Sequence, residues 1–322
     1  MKYDVAAIGE LLIDFTPSGV NESGIALFGR NPGGAPANVL ALLARLGSKT
    51  AFIGKVGDDD FGHFLKKTLI DNDIDTTGLI MSGEYNTTLA FVQLNEQGDR
   101  SFSFYRKPGA DLMLRDDELN KEIIEGCKVF HFGSVSLTDE PSRSATLAAV
   151  KMARDKGRII SYDPNYRPLL WNDEAGAIRQ MRDALEYADI VKVSDNEVCL
   201  LSGETDYLAG ARKIIGKGAA LVFVTAGENG TYYCTSKHED WITAFKVTAI
   251  DTTGAGDAFM GAALYHLKDK SLDEIKNIGK QELEKIVRFA NAAGGLTATK
   301  RGAIPAMPGM GDIMSLITDA KL

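Results

Sequence analysis

The sequence predicts an α/β protein with a mostly parallel central sheet and helices on both faces. Two observations support this fold class. Short apolar runs of strand length alternate with longer amphipathic stretches over most of the 322 residues. The longer stretches place their apolar residues at helical spacing. This alternation is typical of βαβ units, because parallel strands need a crossover connection that is usually a helix.

The predicted elements follow one another along the chain. Each predicted strand is a short run rich in apolar and β-branched residues, and each predicted helix is longer and amphipathic. The strands are predicted at residues 3–9, 51–56, 129–132, 158–162, 190–193 and 221–225. The helices between them are predicted at residues 36–46, 61–72, 143–156, 176–187 and 206–215. Late in the chain, 231–234 and 241–247 are predicted as antiparallel strands and 280–299 as a long helix.

A second, smaller sheet is predicted where this alternation is interrupted. Residues 88–94 and 100–106 alternate around the turn Asn-Glu-Gln-Gly-Asp at 95–99, a pattern typical of a β-hairpin. Residues 11–28 could pair with this hairpin to form a sheet that stands apart from the main one. The simplest partition is one domain over 1–322 with an inserted lid formed by about residues 11–32 and 86–107. A lid that closes over a cleft would exclude water, whereas the alternative is a surface hairpin without a role.

The composition disfavours several classes of function. The net charge of −8 argues against nucleic acid as a partner. No apolar run approaches the roughly 20 residues that a membrane helix needs, and the start of the chain does not resemble a signal peptide. The four histidines lack metal-ligand spacing, so a structural zinc site is not expected. The few, widely spaced cysteines predict reduced thiols in a cytoplasmic enzyme, at Cys127, Cys199 and Cys234.

The strongest functional signal is the stretch 251–259, which reads Asp-Thr-Thr-Gly-Ala-Gly-Asp-Ala-Phe. Gly254, Ala255 and Gly256 are small, so the backbone can turn tightly and aim several N–H groups at one point. The apolar run that follows has helical character, and a helix N-terminus adds further N–H groups and a positive dipole end. The loop is therefore predicted to hold an anion. Asp257 within it is expected to take a proton from a hydroxyl that attacks a phosphoryl group.

The same stretch is also compatible with an ordinary glycine-rich turn capped by an aspartate, which is the simplest interpretation. A dinucleotide-binding motif is disfavoured, because Phe259 stands where G-x-G-x-x-G requires its last glycine. The sequence has no G-x-x-x-x-G-K-[ST] motif, so a P-loop NTPase is disfavoured as well. If the chain handles phosphate, it does so with a different loop.

Further motifs identify a resemblance to a known family. Residues 32–38 read Pro-Gly-Gly-Ala-Pro-Ala-Asn, 44–47 read Ala-Arg-Leu-Gly, and 54–62 read Gly-Lys-Val-Gly-Asp-Asp-Asp-Phe-Gly. Together with the stretch 251–257, they resemble the two signatures of the ribokinase-like (PfkB) carbohydrate kinases. The similarity covers essentially the whole chain, with both signatures in the expected order and spacing.

Three other segments resemble the fructokinase branch of that family. They are residues 104–111 (Phe-Tyr-Arg-Lys-Pro-Gly-Ala-Asp), 129–134 (Val-Phe-His-Phe-Gly-Ser) and 163–171 (Asp-Pro-Asn-Tyr-Arg-Pro-Leu-Leu-Trp). The last segment is also similar to 2-keto-3-deoxygluconate kinases, so it leaves the substrate open. Aminoimidazole riboside kinase is a further alternative. A catalytically silent sugar or nucleotide sensor is the remote one, because Asp257 and the small residues before it are all present.

The resemblance implies a fold, a reaction and cofactors. The fold would be a three-layer α/β/α sandwich with a β-sheet lid over the sugar site. The reaction would transfer the γ-phosphoryl of ATP to a primary hydroxyl, giving fructose 6-phosphate from fructose. Mg²⁺ would bridge the ATP phosphates, and a monovalent cation, usually K⁺, would order the anion-binding loop. Lids in this family often pair, which implies a homodimer.

The resemblance also implies roles for single residues. Asp257 matches the catalytic base, and Gly254, Ala255 and Gly256 match the backbone donors that stabilise the transferring phosphoryl. Sugar contacts are implied for Asp14, Gly33, Gly34 and Asn38. Arg106 and Arg167 could touch the sugar or phosphate, or they could be structural ion-pair partners, and both interpretations stay open. ATP contacts are implied for Lys192, Ser194, Glu197, Thr225, Gly227, Gly230 and Asn291.

Two metal sites are implied by the same matches. The family often carries Asn-x-x-Glu for Mg²⁺, and here Ser194 takes the place of Asn while Glu197 is retained. Glu197 would hold Mg²⁺ through bound water, because Mg²⁺ gives up its hydration reluctantly. Asp251 and Thr253 match the monovalent-cation positions, with further ligands expected from carbonyls near residues 301–303.

Overall fold

The computed structural model describes residues 1–94 and 100–320. Thirteen strands lie within them: β1 (Tyr3–Ile8), β2 (Leu12–Val20), β3 (Ala26–Gly33), β4 (Thr50–Gly57), β5 (Ile74–Ser82), β6 (Leu89–Leu94), β7 (Arg100–Tyr105), β8 (Cys127–Gly133), β9 (Ile159–Asp163), β10 (Ile190–Ser194), β11 (Leu221–Thr225), β12 (Thr231–Cys234) and β13 (Glu239–Ile242). The α-helices are α1 (Ala35–Arg45), α2 (Asp60–Asp71), α3 (Lys121–Gly126), α4 (Ser142–Asp155), α5 (Glu174–Ala184), α6 (Asp195–Ser202), α7 (Tyr207–Gly216), α8 (Ala255–Leu267), α9 (Leu272–Lys276), α10 (Lys280–Ala298) and α11 (Met310–Asp319).

Nine strands form one sheet in the order β13-β12-β11-β10-β9-β8-β1-β4-β5. The pairs from β11 across to β5 are parallel, whereas β12 pairs antiparallel with both β11 and the edge strand β13. The predicted α/β class with a mostly parallel sheet is therefore confirmed. Such a sheet brings the carboxyl ends of its parallel strands to one edge, where ligands bind in open α/β folds.

The sheet is buried on both faces. Alternate residues of β1 belong to different cores: Val5 and Ala7 pack into one, while Ala6 and Ile8 pack into the other. Helices α1, α2 and α8 to α11 cover the first face, and α3 to α7 cover the second. Helix α8 lies between α1 and α10, and nine of its 13 residues are buried. No helix of the described chain is long and apolar enough to cross a membrane.

A separate four-stranded sheet has the order β3-β2-β6-β7. Strand β2 pairs antiparallel with β3 and parallel with β6, which in turn pairs antiparallel with β7. Phe15 of β2 fixes this small sheet to the main body, because its ring lies 5.8 Å from the ring of Phe61 in α2. The small sheet therefore combines the two predicted segments. The predicted hairpin turn at 95–99 lies outside the described residues.

The predicted bounds agree with the structure to within two residues for most elements, with one correction. The second late strand is predicted at 241–247, but β13 ends at Ile242 and residues 243–249 have no regular structure. The reason lies in its neighbour: β12 has only four residues, and its ladder ends at the pair Thr231 and Ile242. Beyond that point β12 offers no further residues with which the chain could pair.

Strand β5 is absent from the sequence prediction. It pairs in parallel with β4 along nearly its whole length and forms an edge of the large sheet. Gly78 interrupts its apolar pattern, and the structure explains that glycine. A Cβ at position 78 would lie 2.7 Å from the carbonyl oxygen of Phe52 in β4. The strand was not predicted because glycine usually weakens strands, whereas here the glycine is needed for the close approach of two backbones.

The contact between α8 and α1 gives a first prediction. A Cβ on Gly261 of α8 would lie 2.9 Å from the carbonyl oxygen of Val39 in α1. We expect Gly261→Ala to push the helices apart and to lower the free energy of unfolding by roughly 1–3 kcal/mol, measured by urea denaturation. Gly216→Ala at the end of α7 is the matched control, because in the described chain no atom beyond its chain neighbours and the adjacent backbone of its own helix lies within 4 Å of its new methyl group. It should raise stability slightly, and equal losses in both variants would contradict the packing argument.

Candidate active site

A cavity of about 540 Å³ lies where the carboxyl ends of the parallel strands face the small sheet. Residues from both sheets and from the N-termini of α1 and α8 form its wall. The predicted site residues in this wall are Asp14, Gly34, Asn38, Arg167, Lys192, Asp251, Thr253, Gly254, Gly256 and Asp257. Segments that are far apart in the sequence thus meet in one place.

The loop before α8 is shaped by close packing against residue 303. Gly254 is the N-cap of α8 and has a φ of 79°, a left-handed conformation that favours glycine. A Cβ there would lie 2.7 Å from the Cβ of Ala303. Within the described chain no side chain caps α8, but the Ala255 N–H already donates to the carbonyl oxygen of Thr252 at 3.2 Å. The N–H groups that follow, beginning with that of Gly256 in the cavity wall, are therefore the ones left for a ligand. The predicted anion-binding geometry, a glycine turn leading into a helix N-terminus, is present.

Asp257 lies in the first turn of α8, is only 6% exposed, and contacts two amide side chains. Its Oδ2 accepts a hydrogen bond from Asn38 Nδ2 at 2.8 Å, and its Oδ1 accepts one from Asn165 Nδ2 at 3.2 Å. Burial raises the pKa of Asp257, and Lys192 and Asn38 oppose that rise. The carboxylate is thus a stronger proton acceptor than an exposed aspartate.

Lys192 is a buried cation in the middle of β10. Its ammonium pairs with Asp163 Oδ2 at 2.8 Å, and the second Asp163 oxygen is buried without a hydrogen-bond partner in the described chain. Burial disfavours the charged form of Lys192, but Asp163, Glu197 and Asp257 outweigh it and raise its pKa overall. A Cβ on Gly256 would lie 2.9 Å from Lys192 Nζ, so the ammonium lies directly against the anion-binding loop.

Two adjacent glycines allow the small sheet and α1 to meet at the cavity. A Cβ on Gly33 would lie 2.2 Å from Asp14 Oδ2. A Cβ on Gly34, whose φ is 123°, would lie 2.3 Å from the carbonyl oxygen of Glu10. Any other residue at these positions would displace either the Asp14 carboxylate or the backbone of Glu10. Of the pair, Gly34 belongs to the cavity wall, and Gly33 lies directly behind Asp14.

Arg106 and Arg167 have different surroundings. Arg106 is buried in an ion pair with Asp111 and donates further hydrogen bonds to Thr138 Oγ1 and the carbonyl oxygen of Val135. It is not part of the cavity wall. Arg167 is exposed, belongs to the wall and donates only to nearby backbone carbonyls in the described chain. These contacts favour the structural interpretation for Arg106 and the ligand-binding one for Arg167.

Ser194 and Glu197 form a capping box at the start of α6. Ser194 Oγ accepts from the Glu197 N–H at 3.2 Å, and Glu197 Oε2 accepts from the Ser194 N–H at 2.8 Å. Glu197 Oε1 also accepts from the N–H of Tyr166 at 2.6 Å. The carboxylate is thereby held beside the 163–167 loop, within electrostatic reach of Asp163 and Asp257. Within the described residues no group of three or more acidic, histidine or cysteine side chains is arranged to hold a metal ion directly, so Glu197 could act on a cation only through bound water.

Apart from Lys192, the expected nucleotide-binding residues lie outside the cavity wall. Thr225 ends β11, and Gly227 and Gly230 frame the turn that leads into β12. Asn291 of α10 is buried beneath this turn, where it accepts a hydrogen bond from Thr231 Oγ1 at 2.7 Å. Its amide also donates to the carbonyl oxygen of Ile242. The structure therefore brings these four residues together, and the side-chain amide of Asn291 is hydrogen-bonded to other protein groups through both its oxygen and its nitrogen.

Asp251 ties two loops of the cavity wall together. Its Oδ1 accepts hydrogen bonds from the Thr253 N–H at 3.0 Å and from Thr253 Oγ1 at 2.7 Å. Its Oδ2 accepts from the Gly302 N–H at 3.0 Å. The 251–254 turn is thus fixed to the backbone of Gly302. These oxygen atoms are of the type that binds hard cations.

Three further residues belong to the site although the sequence did not single them out for a definite role. Asn165 contacts Asp257 directly, from a left-handed backbone with a φ of 49°. Asp163 is the ion-pair partner of Lys192. Glu10 is buried in the cavity wall, where its Oε1 accepts from the Ala35 N–H at 2.8 Å. A polar residue at the end of a buried strand is the one signal that could have pointed to Glu10 and Asp163.

The chain belongs to the PfkB family of carbohydrate kinases, because the model of the pfkB family carbohydrate kinase matches residues 2–310. It is therefore a phosphotransferase with the ribokinase-like fold. Probable fructokinase-2 from Arabidopsis thaliana is 47% identical over 307 residues, which span 94% of this chain and 92% of the relative.

Solved structures of fructokinases share the fold over nearly their whole length. Fructokinase from Xylella fastidiosa with bound ATP has a TM-score of 0.92 at 32% identity, and the match covers 100% of both chains. Fructokinase from Vibrio cholerae O395 with bound fructose, ADP and calcium ion has a TM-score of 0.87 at 34% identity. That match covers 97% of this chain and 98% of the other.

The environment of Asp14 predicts a pH dependence. Burial raises the pKa of Asp14 to about 6, with Arg167 opposing the rise and Asp251 and Asp257 adding to it. If the ionised carboxylate accepts sugar hydroxyls, kcat/KM for the sugar should rise as the pH increases through about 6. Asp14→Asn should remove this step and raise the sugar KM more than the ATP KM. Persistence of the same step in Asp14→Asn would assign it to another group.

Proposed function

We propose that this protein is an ATP-dependent fructokinase that transfers the γ-phosphoryl of ATP to the 6-hydroxyl of fructose. The observation that carries the proposal is the buried Asp257 carboxylate in the first turn of α8, beside free helix N–H groups. A carboxylate beside an anion site suits a base that acts on a hydroxyl attacking phosphorus. The fructokinase names of its relatives, and the fructose bound in the Vibrio cholerae structure, favour fructose as the acceptor.

The phosphoryl transfer follows from this arrangement. The fructose hydroxyl oxygen attacks the γ-phosphorus while the bond from that phosphorus to the bridging oxygen of ATP breaks, leaving ADP. The hydroxyl proton passes to a carboxylate oxygen of Asp257, and the product is fructose 6-phosphate. In a loose transition state the proton moves late, so Asp257 need not remove it before the bond to phosphorus begins to form. Asn38 and Asn165 hold that carboxylate by donating to its two oxygens.

Charge on the transferring phosphoryl is stabilised by the loop and by nearby cations. The N–H groups of Gly254 and Gly256 would be preorganised by the helix start, so they would need little rearrangement during reaction, whereas the Ala255 N–H is held by the carbonyl oxygen of Thr252. Lys192 supplies a buried ammonium directly beside Gly256. Arg167 is placed in the cavity wall, where its guanidinium can reach phosphate or sugar oxygens.

The sugar would lie between the small sheet and α1. Asp14 would accept hydrogen bonds from sugar hydroxyls, and the bare backbone of Gly33 and Gly34 would let the ring approach closely. Asn38 would offer a carbonyl oxygen, since its amide nitrogen is engaged by Asp257 and its Oδ1 is buried without a hydrogen-bond partner in the described chain. Arg106 would contribute indirectly, by fixing the end of β7 through Asp111.

ATP and its metal would occupy the other end of the cleft. Thr225, Gly227 and Gly230 would lie beside the nucleotide, with Asn291 supporting their turn from below. Glu197 would hold Mg²⁺ through water, and Ser194 would contact the phosphates or this water. Mg²⁺ would neutralise the phosphate charge that builds up as the bond to ADP breaks.

A monovalent cation, proposed to be K⁺, would bind where Asp251 joins its loop to Gly302. The hydrogen bonds of Asp251 to Thr253 and Gly302 bring a carboxylate and a hydroxyl oxygen together and hold them beside the backbone of residue 302. A cation there would rigidify the loop that precedes Asp257. The proposal therefore makes K⁺ an activator through the shape of the anion-binding loop.

The small sheet, together with the segments about 11–32 and 86–107, would be a lid inserted in a single domain. It forms one side of the cavity through Leu12, Asp14, Val92 and Phe104, so its closure would exclude water. Its strands also expose apolar side chains that a homodimer would cover: Val20, Ile25, Leu27 and Phe28 are 41–68% exposed. A cytoplasmic location stays a prediction from the three free cysteines.

The base assignment predicts a large and selective loss. Asp257→Asn should lower kcat about 10²–10⁴-fold, because the amide cannot take the hydroxyl proton. Sugar and ATP affinity, measured by calorimetry with a non-hydrolysable ATP analogue, should change little. Lys192→Met is a comparison variant that should weaken nucleotide binding as well as turnover. Near-normal turnover of Asp257→Asn would disprove the base assignment.

The substrate is tested by ADP release with Mg·ATP, in the presence and absence of K⁺. Fructose, 2-keto-3-deoxygluconate and aminoimidazole riboside form the panel, because the sequence leaves all three open. The highest kcat/KM is expected with fructose, and K⁺ should increase it. Preference for another member of the panel would leave Asp257 as the base and reject fructose. Failure of all three would reject the proposed function.

A further inference from the structure

Glu10 is a buried carboxylate in the cavity wall that the phosphoryl transfer described above does not use. It follows β1, the strand beside β8 and β4 in the large sheet, and is 4% exposed. Its Oε1 accepts from the Ala35 N–H at 2.8 Å, and its Oε2 is buried without a hydrogen-bond partner in the described chain. A buried carboxylate with so few partners is costly, so its retention requires an explanation.

The explanation begins at the N-terminus of α1, which cannot be capped in the usual way. The N-cap of α1 is Gly34, and it has no side chain of its own to cap the helix. The usual cap residues Ser, Thr, Asp and Asn are excluded there, because a Cβ would lie 2.3 Å from the carbonyl oxygen of Glu10. The side chain of Glu10 supplies the missing acceptor instead, 25 residues away in sequence. Its negative charge also suits the positive end of the helix dipole.

The capped turn carries groups that the reaction needs. Asn38 lies one turn into α1, where its N–H donates to the carbonyl oxygen of Gly34 at 3.0 Å. Its side-chain amide donates to Asp257 Oδ2 at 2.8 Å. The chain Glu10, Ala35, Asn38, Asp257 therefore links the end of β1 to the catalytic base. The backbone of Gly33 and Gly34, proposed to face the sugar, directly precedes this turn.

We propose that Glu10 is a positioning residue for phosphoryl transfer, which caps α1 in place of an N-cap side chain and thereby aligns Asn38 and the sugar-facing glycines. This inference rests on the proposed sugar kinase function. Glu10 acts as a hydrogen-bond acceptor, a role that an amide oxygen can also fill. In agreement with this, burial raises the pKa of Glu10 to about 7, so the acceptor does not depend on full ionisation.

The test compares Glu10→Ala with Glu10→Gln in the full-length protein. Glu10→Ala removes the acceptor and should lower kcat/KM for fructose at least about tenfold, the effect of losing one well-placed hydrogen bond. Glu10→Gln keeps the acceptor and should stay within about threefold of the wild type. The KM for ATP should change little in either. If Glu10→Ala does not fold, Glu10→Asp takes its place, because its shorter side chain withdraws the carboxylate from Ala35.

A matched control separates positioning from general stability. Glu274 also accepts from a backbone N–H at a helix start, that of Ser271 at 2.7 Å, but it is remote from the cavity. Glu274→Ala should lower Tm without changing kcat or KM. Wild-type kinetics in Glu10→Ala at a lowered Tm would overturn the proposal, as would equal losses in Glu10→Gln and Glu10→Ala.

A measurement that needs no turnover distinguishes failure of the capping role of Glu10 from failure of the proposed function. Amide hydrogen exchange in the first turn of α1 should be faster in Glu10→Ala than in the wild type and near normal in Glu10→Gln. If the wild type does not phosphorylate fructose but accepts another sugar, the same kinetic comparison applies to that sugar. Unchanged exchange at α1 in Glu10→Ala would refute the capping role whatever the substrate is.

Discussion

The site depends on the cost of burying the Asp257 carboxylate. An aspartate is seldom found almost fully buried, because removing an ionised carboxylate from water is expensive unless partners compensate. Asn38 and Asn165 donate to its two oxygens, and the buried Lys192 provides a nearby positive charge. Each compensating group comes from a different part of the chain. The position of α1, the 163–167 loop and β10 is therefore constrained by one side chain on α8.

The same constraint explains why the surroundings of Asp257 are crowded with other ionisable groups. Lys192 must remain charged in a buried position, and Asp163 at 2.8 Å makes that possible. Burial raises the pKa of Asp163 to about 7, although the nearby Lys192 ammonium lowers it. Desolvation and ion pairing therefore oppose each other in this pair. The spare Asp163 oxygen and Glu197 add negative charge. Under the proposed function, the metal that accompanies ATP would neutralise part of this charge.

The sequence predicted those parts of the fold and site that local patterns encode. The parallel strands and their helices follow from apolar periodicity, and the loop before α8 follows from three small residues beside an aspartate. What was missed depends on contacts between distant residues. Glu10 meets Ala35 across 25 positions, and Asn165 meets Asp257 across 92. Strand β5 was missed for a similar reason, since Gly78 is explained only by the neighbouring backbone of β4.

Gly34, at the start of α1, and Glu10, which follows β1, show how such distant contacts are related to one another. A sugar that approaches bare backbone needs Gly33 and Gly34 without side chains, and the close carbonyl of Glu10 excludes a side chain at position 34 independently. That exclusion removes the residue that would otherwise cap α1, so the acceptor must come from elsewhere. Glu10 lies on the backbone that causes the exclusion, and its side chain reaches Ala35. One close approach of two backbones thus accounts for the glycine, for the buried carboxylate, and for the alignment of the helix that holds Asn38 against Asp257.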